Sequence, residues 1–150
     1  MAQKGKYVYQ WPRPTVSVDV LVFSENLDNT KLLLIKRGRE PFEGMWSLPG
    51  GFIEMDEELE DAAARELQEE TQLTDVELEQ MYTFGTIGRD PRGRQITVAF
   101  IGIIKDEPEV KGGDDAADAK WFNIKELPNM GFDHNDMVKI AMRKIRAGDN

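Results

Sequence analysis

A single α/β domain is the fold class this sequence predicts, and three observations carry the prediction. Apolar and β-branched runs of strand length recur along the chain, at residues 15–23 ("TVSVDVLVF"), 31–37 ("KLLLIKR"), 77–87, 94–104 ("RQITVAFIGII") and 118–124. Two further segments, one central and one at the end, space their apolar residues as a helix does. At 150 residues and 40% hydrophobic content, the chain has material for one core and little for two.

The elements follow in order. Residues 1–13 read as an N-terminal arm or a short edge strand: Tyr7, Tyr9 and Trp11 alternate, then Pro12 and Pro14 remove backbone donors. Residues 14–147 are expected to form the domain. The runs 15–23 and 31–37 are separated by the polar loop "SENLDNT" and are expected to pair. After the glycine- and proline-rich stretch "GREPFEGMWSLPGGF", a helix is expected to begin between Met55 and Glu58 and to run to about Gln72. Asp56 is its expected N-cap, and the acids at 57, 58, 60 and 61 suit the positive end of the helix dipole. The strand candidates 77–87, 94–104 and 118–124 come next. A last helix starts near Asp133, with Met137, Ile140, Ala141 and Ile145 at helical spacing.

Composition excludes several kinds of function. The chain has no cysteine, so a disulfide framework, a zinc–thiolate site and a thiol nucleophile are all ruled out, and a reducing cytoplasm is the compatible compartment. The longest apolar run, around "VDVLVF", is too short to span a bilayer, and "MAQKGKYVYQ" lacks the apolar core of a signal peptide, so no membrane partner is expected. A net charge of −9 argues against a sequence-independent grip on nucleic acid. A polyanionic substrate would need a positive bridge to this protein, and a divalent metal supplies one.

The central helix is where the chemistry concentrates. With Leu59 at zero and about 100° per residue, Ala62, Ala63, Leu67 and Leu73 define an apolar face, and Glu66, Glu69 and Glu70 fall near 340°, 280° and 20°, within or beside it. Glu60, Asp61, Ala64, Arg65, Gln68, Thr71 and Gln72 take the solvated side. Like charges one turn apart on a half-buried surface repel one another and lose hydration. A hard divalent cation with oxygen ligands, magnesium or manganese, resolves that conflict and leaves positions for water and phosphate. Gly50 and Gly51, just upstream, let the backbone turn tightly and approach such an ion without a Cβ.

From Gly51 the stretch "GFIEMDEELEDAAARELQEETQL" sets a glycine, Glu57, Arg65-Glu66-Leu67, Glu69-Glu70 and Gln72-Leu73 at fixed spacing. This pattern resembles the Nudix box, with Gln72 standing where the family has glycine. The resemblance implies an α/β/α sandwich with a mixed central sheet. It implies that Glu66, Glu69 and Glu70 bind Mg2+ or Mn2+, helped by the carbonyl of Gly50, and that Glu57 and Arg65 pair to orient the loop. The family's glycine would end the helix in a left-handed turn, where Gln72 should cost on the order of 1 kcal/mol or move the helix end.

Beyond the box, "RGREPFEGMWSLPGGF", "RDPRGR", "GGDDAADAKWF" and "FDH" resemble the ADP-ribose pyrophosphatase branch, from about residue 14 onward. The implied function is metal-dependent hydrolysis of a nucleoside diphosphate linked to another moiety, with ADP-ribose giving AMP and ribose 5-phosphate. The same chemistry on an oxidised nucleoside triphosphate, a dinucleotide or a nucleotide sugar is the enzymatic alternative. A nucleotide-sensing module without turnover is the other, disfavoured by the intact glutamates and by a chain with no room for a DNA-binding domain after residue 147.

"GRDPRGR" reads either as a solvated hairpin or as a source of phosphate or ribose donors in Arg89 or Arg92, and Arg37 and Arg39 compete for that role. "GGDDAAD" is either a surface loop or one that brings Asp114 or Asp115 to the metal as ligand or general base. His134 reads as a structural hydrogen-bonder. Phe42, Trp46 and Phe84 are aromatic candidates for an adenine face, or core. The aromatic arm and the resemblance together suggest a homodimer.

Overall fold

Strand β1 (Thr15–Ser24) organises the molecule, because nearly every other strand is reached from it. In the computed structural model, which describes residues 5–26 and 29–148, β1 runs parallel to β6 (Gln95–Ile104) in unbroken register from Thr15↔Gln95 to Ser24↔Ile104. The antiparallel strand β5 (Glu79–Phe84) closes that side of the sheet. On the other side β2 (Lys31–Arg37) meets β1 only at Phe23↔Leu32 and Ser24↔Lys31. The two strands then diverge. β1 takes β4 (Gly50–Phe52) as its antiparallel partner, while β2 pairs with β3 (Trp46–Ser47) and, along its full length, with β7 (Ala116–Asn123). The sheet has seven strands and mixed direction.

Side chains alternate along β1, and each face of the sheet carries a helix. Val18, Val20 and Val22 point to α1 (Leu59–Thr71), against Ala62, Ala63 and Leu67. Leu21 and Phe23 point to α2 (His134–Arg146), against Met137, Val138 and Ala141. This is the expected α/β/α sandwich. Asp19, the one acid among these inward positions of β1, is buried on the α2 face.

Several expectations are corrected. Residues 5–14 form no strand, since two prolines cannot donate to a ladder; Tyr9 instead stacks with Tyr7 and lies under the Arg13 guanidinium. Residues 1–4 of the expected arm and 27–28 of the expected loop lie outside the described residues. Asp56 is not the N-cap: a turn closed by Glu57 N–H on the Glu54 carbonyl comes first, and Glu58 takes the cap with extended backbone and no side-chain bond. Thr71, placed on the solvated side by the helical wheel, is fully buried. Its hydroxyl donates to the Leu67 carbonyl, and its own carbonyl accepts from Lys111 N–H of the loop packed over the helix end. Gln72 does end the helix in the left-handed conformation, at φ 65°, so the helix end has not moved. β3 and β4 were not legible in the sequence; two and three residues are too few for a pattern.

Candidate active site

The residues singled out in the sequence come from α1, β4, the end of β2, the β5–β6 hairpin and the loop before β7. Antiparallel pairing sets Gly50 opposite Asp19 and Gly51 opposite Val18, which lays the double glycine along the flank of α1. Neither glycine has room for a side chain. A Cβ on Gly50 would lie 2.2 Å from the Val18 carbonyl, and one on Gly51 would lie 2.6 Å from Glu66 Oε1. The first approach is to β1 and the second to the acidic helix, which Gly50 also reaches through its N–H, donating to Glu70 Oε1 at 2.7 Å.

Arg65 fastens this corner. Its Nε and Nη2 donate to the two carboxylate oxygens of Glu57 at 2.6 and 2.9 Å, and Nη2 reaches the Phe52 carbonyl at 3.2 Å. Nη1 donates to Glu66 Oε1 at 2.9 Å and to Glu69 Oε2 at 3.3 Å. The guanidinium therefore ties the loop, the short strand β4 and two of the acids into one unit. Bonds to Glu57 first, outweighing burial, then to Glu66, raise the pKa of Arg65, while the Arg65 hydrogen bond lowers that of Glu57.

Glu66 and Glu70 are buried, as the helical wheel predicted, whereas the Glu69 side chain stays 32% exposed. Burial pushes the Glu66 carboxyl up to about 6, against the pull of Arg65. Burial raises Glu70 well above the ordinary carboxylate range, with the Gly50 N–H opposing and the negative charges of Glu66 and Asp19 adding to the rise. The acids thus lack sufficient positive charge. An oxygen-donor set in this state, beside glycines that leave the approach open, fits a hard divalent cation. Among the described residues, no three acidic or histidine side chains are already drawn together as a cage. Glu66 and Glu69 are held by Arg65 instead.

In front of the acids lies a cavity of about 590 Å³. Glu66, Glu70 and Asp19 form one wall, with Asp114 and Asp115 at its edge. Arg37, Arg39, Arg89 and Arg92 form the other. Glu57, Arg65 and Glu69 are not among the residues that line the cavity. The arginines differ in what they are free to do. Arg89 is committed, its Nε and Nη2 gripping both oxygens of Asp133 at 3.0 and 2.8 Å, and its side chain is only 4% exposed. Arg92 makes the same fork to Asp90, and Arg39 meets Asp115 at 2.5 Å across the mouth. Arg37 is half-buried and turns its Nε to the Pro41 carbonyl; burial, then the charge of Arg92, lower its pKa. The hairpin reading of "GRDPRGR" also holds, since the segment joins β5 to β6.

Four residues in the cavity were missed or underread. Asp19 accepts from Thr97 Oγ1 at 2.7 Å and faces His134 Nε2 at 3.4 Å. His134 Nδ1 accepts from Leu48 N–H at 3.0 Å, the structural role expected of it, yet the ring also lines the cavity. Phe132 and Phe52 present aromatic surface there. A lone Asp in an apolar strand was the one available signal. Of the expected aromatic candidates, Phe84 is core and Trp46 packs edge-on against Phe122, while Phe42 packs edge-on against Phe132.

With this geometry in place, comparison with known proteins is informative. A family model described as the NUDIX domain matches residues 13–142. An ADP-ribose pyrophosphatase of Methanocaldococcus jannaschii is 41% identical over 131 residues, covering 87% of this chain and 74% of that protein. An ADPR responsive transcriptional repressor, NtrR of Acinetobacter baylyi, is 32% identical over 97% of this chain, which spans 59% of the repressor. Among solved structures, the NUDIX domain of Shewanella oneidensis NrtR complexed with ADP ribose superposes with a TM-score of 0.82 at 30% identity, covering 90% of each chain. A bifunctional NMN adenylyltransferase/ADP ribose pyrophosphatase of Francisella tularensis, complexed with AMP and a manganese ion, superposes at 0.77 and 30% identity over 91% of this chain and 43% of that one.

Proposed function

The chain belongs to the NUDIX domain family, and from that premise we propose that it is a metal-dependent pyrophosphohydrolase that cleaves ADP-ribose to AMP and ribose 5-phosphate. The observation that carries the reading is the cavity itself: about 590 Å³ in volume, lined both by buried acids of α1 and by guanidiniums, and suited to one nucleotide-sized ligand.

In this reading Glu66, Glu69 and Glu70, with the carbonyl of Gly50, hold Mg2+ or Mn2+. When bound, the ion supplies charge to the phosphate oxygens and acidifies a water. The residues of the chain do the rest. Gly50 N–H fixes the Glu70 carboxylate in place. Arg65 and Glu57 keep α1 and the glycine strand in register. Arg37 and Arg92 take the diphosphate from the opposite wall, with Arg39 and Asp115 at the mouth. Water attacks one phosphorus, the bridging P–O bond breaks, and the water's proton passes to an acid of the cluster, Glu66, Glu70 or Asp114. These coupled carboxylates share that task as a set. Arg89 acts indirectly, by holding Asp133.

The test is AMP release from ADP-ribose with magnesium or manganese, beside a chelator control and Glu70→Gln. We expect metal-dependent AMP, reduced at least about a hundredfold by the substitution. Turnover of a different nucleotide with none of ADP-ribose would transfer the reading to that substrate. A nucleotide-sensing role is the second reading, favoured by the similarity to the repressor, and tight ADP-ribose binding with no turnover at saturating metal would establish it.

A homodimer is part of the proposal, supported by the arm, where Val8 is 94% and Trp11 72% exposed. A monomeric mass by solution scattering at micromolar concentration would remove it.

A further inference from the structure

Phe132 opens the segment "FDH", whose sequence marks no role for it. Its backbone sits in the left-handed region, at φ 56°, which a bulky side chain adopts only under constraint. The constraint is visible on both sides. Gly131 N–H donates to the Trp46 carbonyl at 3.0 Å, Asp133 is gripped by the fork of Arg89, and His134 accepts the Leu48 N–H. Behind the ring stands Phe42, also left-handed at φ 62°, with ring centroids 4.7 Å apart in an edge-on contact.

The ring lines the cavity within reach of two cations. Arg37 Cζ lies 5.0 Å from its centroid and Arg92 Cζ 5.4 Å, both within the range of cation–π attraction. Arg92 is also 5.0 Å from the centroid of Phe52. Asp90 takes Nε and Nη2 of Arg92, and the Pro41 carbonyl takes Nε of Arg37; among the described residues no hydrogen bond engages Nη1 of Arg92 or either Nη atom of Arg37. Like charges repel. A ring within reach of both guanidiniums offsets part of that repulsion, and a doubly charged anion in the cavity would attract both.

We propose that Phe132 is a positioning residue whose ring holds the guanidiniums of Arg37 and Arg92 as a two-armed clamp for the diphosphate of the substrate. The proposal rests on the hydrolase reading above and names how that site grips its ligand. Phe132 touches neither reacting atom nor metal in this scheme, so its loss acts on binding.

The experiment uses Phe132→Leu and Phe132→Met, which keep a Cβ and apolar bulk without the ring, and Phe132→Tyr, which restores it. We expect KM for ADP-ribose to rise roughly five- to thirtyfold in the Leu and Met variants, with kcat within about threefold of the parent and with recovery in the Tyr variant. Calorimetric affinity for a non-hydrolysable methylene-bridged ADP-ribose should fall in the same order. Arg92→Gln should then cost less in the Leu background than in the parent. Unchanged KM and affinity in a folded Leu or Met variant would overturn the proposal, as would a fall in kcat alone. A parent that binds the analogue without turning ADP-ribose over, and binds it more weakly without the ring, would end the hydrolase reading while supporting the clamp. A parent that fails to bind the analogue would end the clamp.

Discussion

Gln72 is a residue whose cost can be read directly. It caps α1 at φ 65°, donating its backbone N–H to the Gln68 carbonyl at 2.8 Å, in a conformation that glycine adopts without a Cβ penalty. Gln72→Gly should therefore stabilise the protein by about 1 kcal/mol, seen as a rise of a few degrees in Tm, and leave activity unchanged. A fall in Tm would show that contacts of the Gln72 side chain outweigh the strain. Arg65 is the contrasting case, since one guanidinium serves Glu57, Phe52, Glu66 and Glu69. A lysine cannot reproduce that fork. Arg65→Lys should lower metal affinity and kcat about ten- to a hundredfold, measured by manganese titration and AMP release.

Between the short strand β4 and α1, the two glycines separate folding from function. An alanine Cβ at Gly50 would meet backbone, the Val18 carbonyl at 2.2 Å, which cannot move without breaking the strand pairing. At Gly51 it would meet the end of the Glu66 side chain at 2.6 Å, which can swing away. Gly50→Ala should therefore lose several degrees of Tm. Gly51→Ala should fold nearly normally but bind manganese at least about tenfold more weakly, because Glu66 is displaced from its place. Equal Tm losses in the two variants would contradict this division of roles.

The whole molecule carries the unfavourable charge of its acidic wall as a dependence of stability on pH. The folded-state pKa of Glu66 is raised from 4.5 to about 6, and that of Glu70 is raised too. A carboxyl whose folded pKa is raised binds its proton more tightly folded than unfolded, so its contribution is complete below the unfolded value and is lost as pH rises through the folded one. Without metal, the urea midpoint should fall between pH 4.5 and about 6, the window set by Glu66, with Glu70 extending the loss upward. Saturating magnesium or manganese should raise the midpoint near neutral pH and flatten that slope, since the ion binds the ionised acids of the folded state. A slope unaffected by metal would place the ion elsewhere.

The sequence by itself determined the five longer strands, both helices and the acidic set on α1, because strand alternation and helical spacing are local periodicities and the Nudix box lies within one contiguous stretch. The resemblance to the Nudix box also implied the left-handed helix end at Gln72, where the family has glycine. Only the tertiary structure decided which arginines are available. Arg89 and Arg92 lie three residues apart in one hairpin, yet Asp133, forty-four positions away, takes the first, while the second forks to its neighbour Asp90 and lines the cavity. Tertiary structure likewise brought in Asp19, His134 and Phe132, from a strand interior and a helix start. Their roles come from contacts between residues distant in sequence, and no periodicity or short motif records which side chains will face one another once the sheet is assembled.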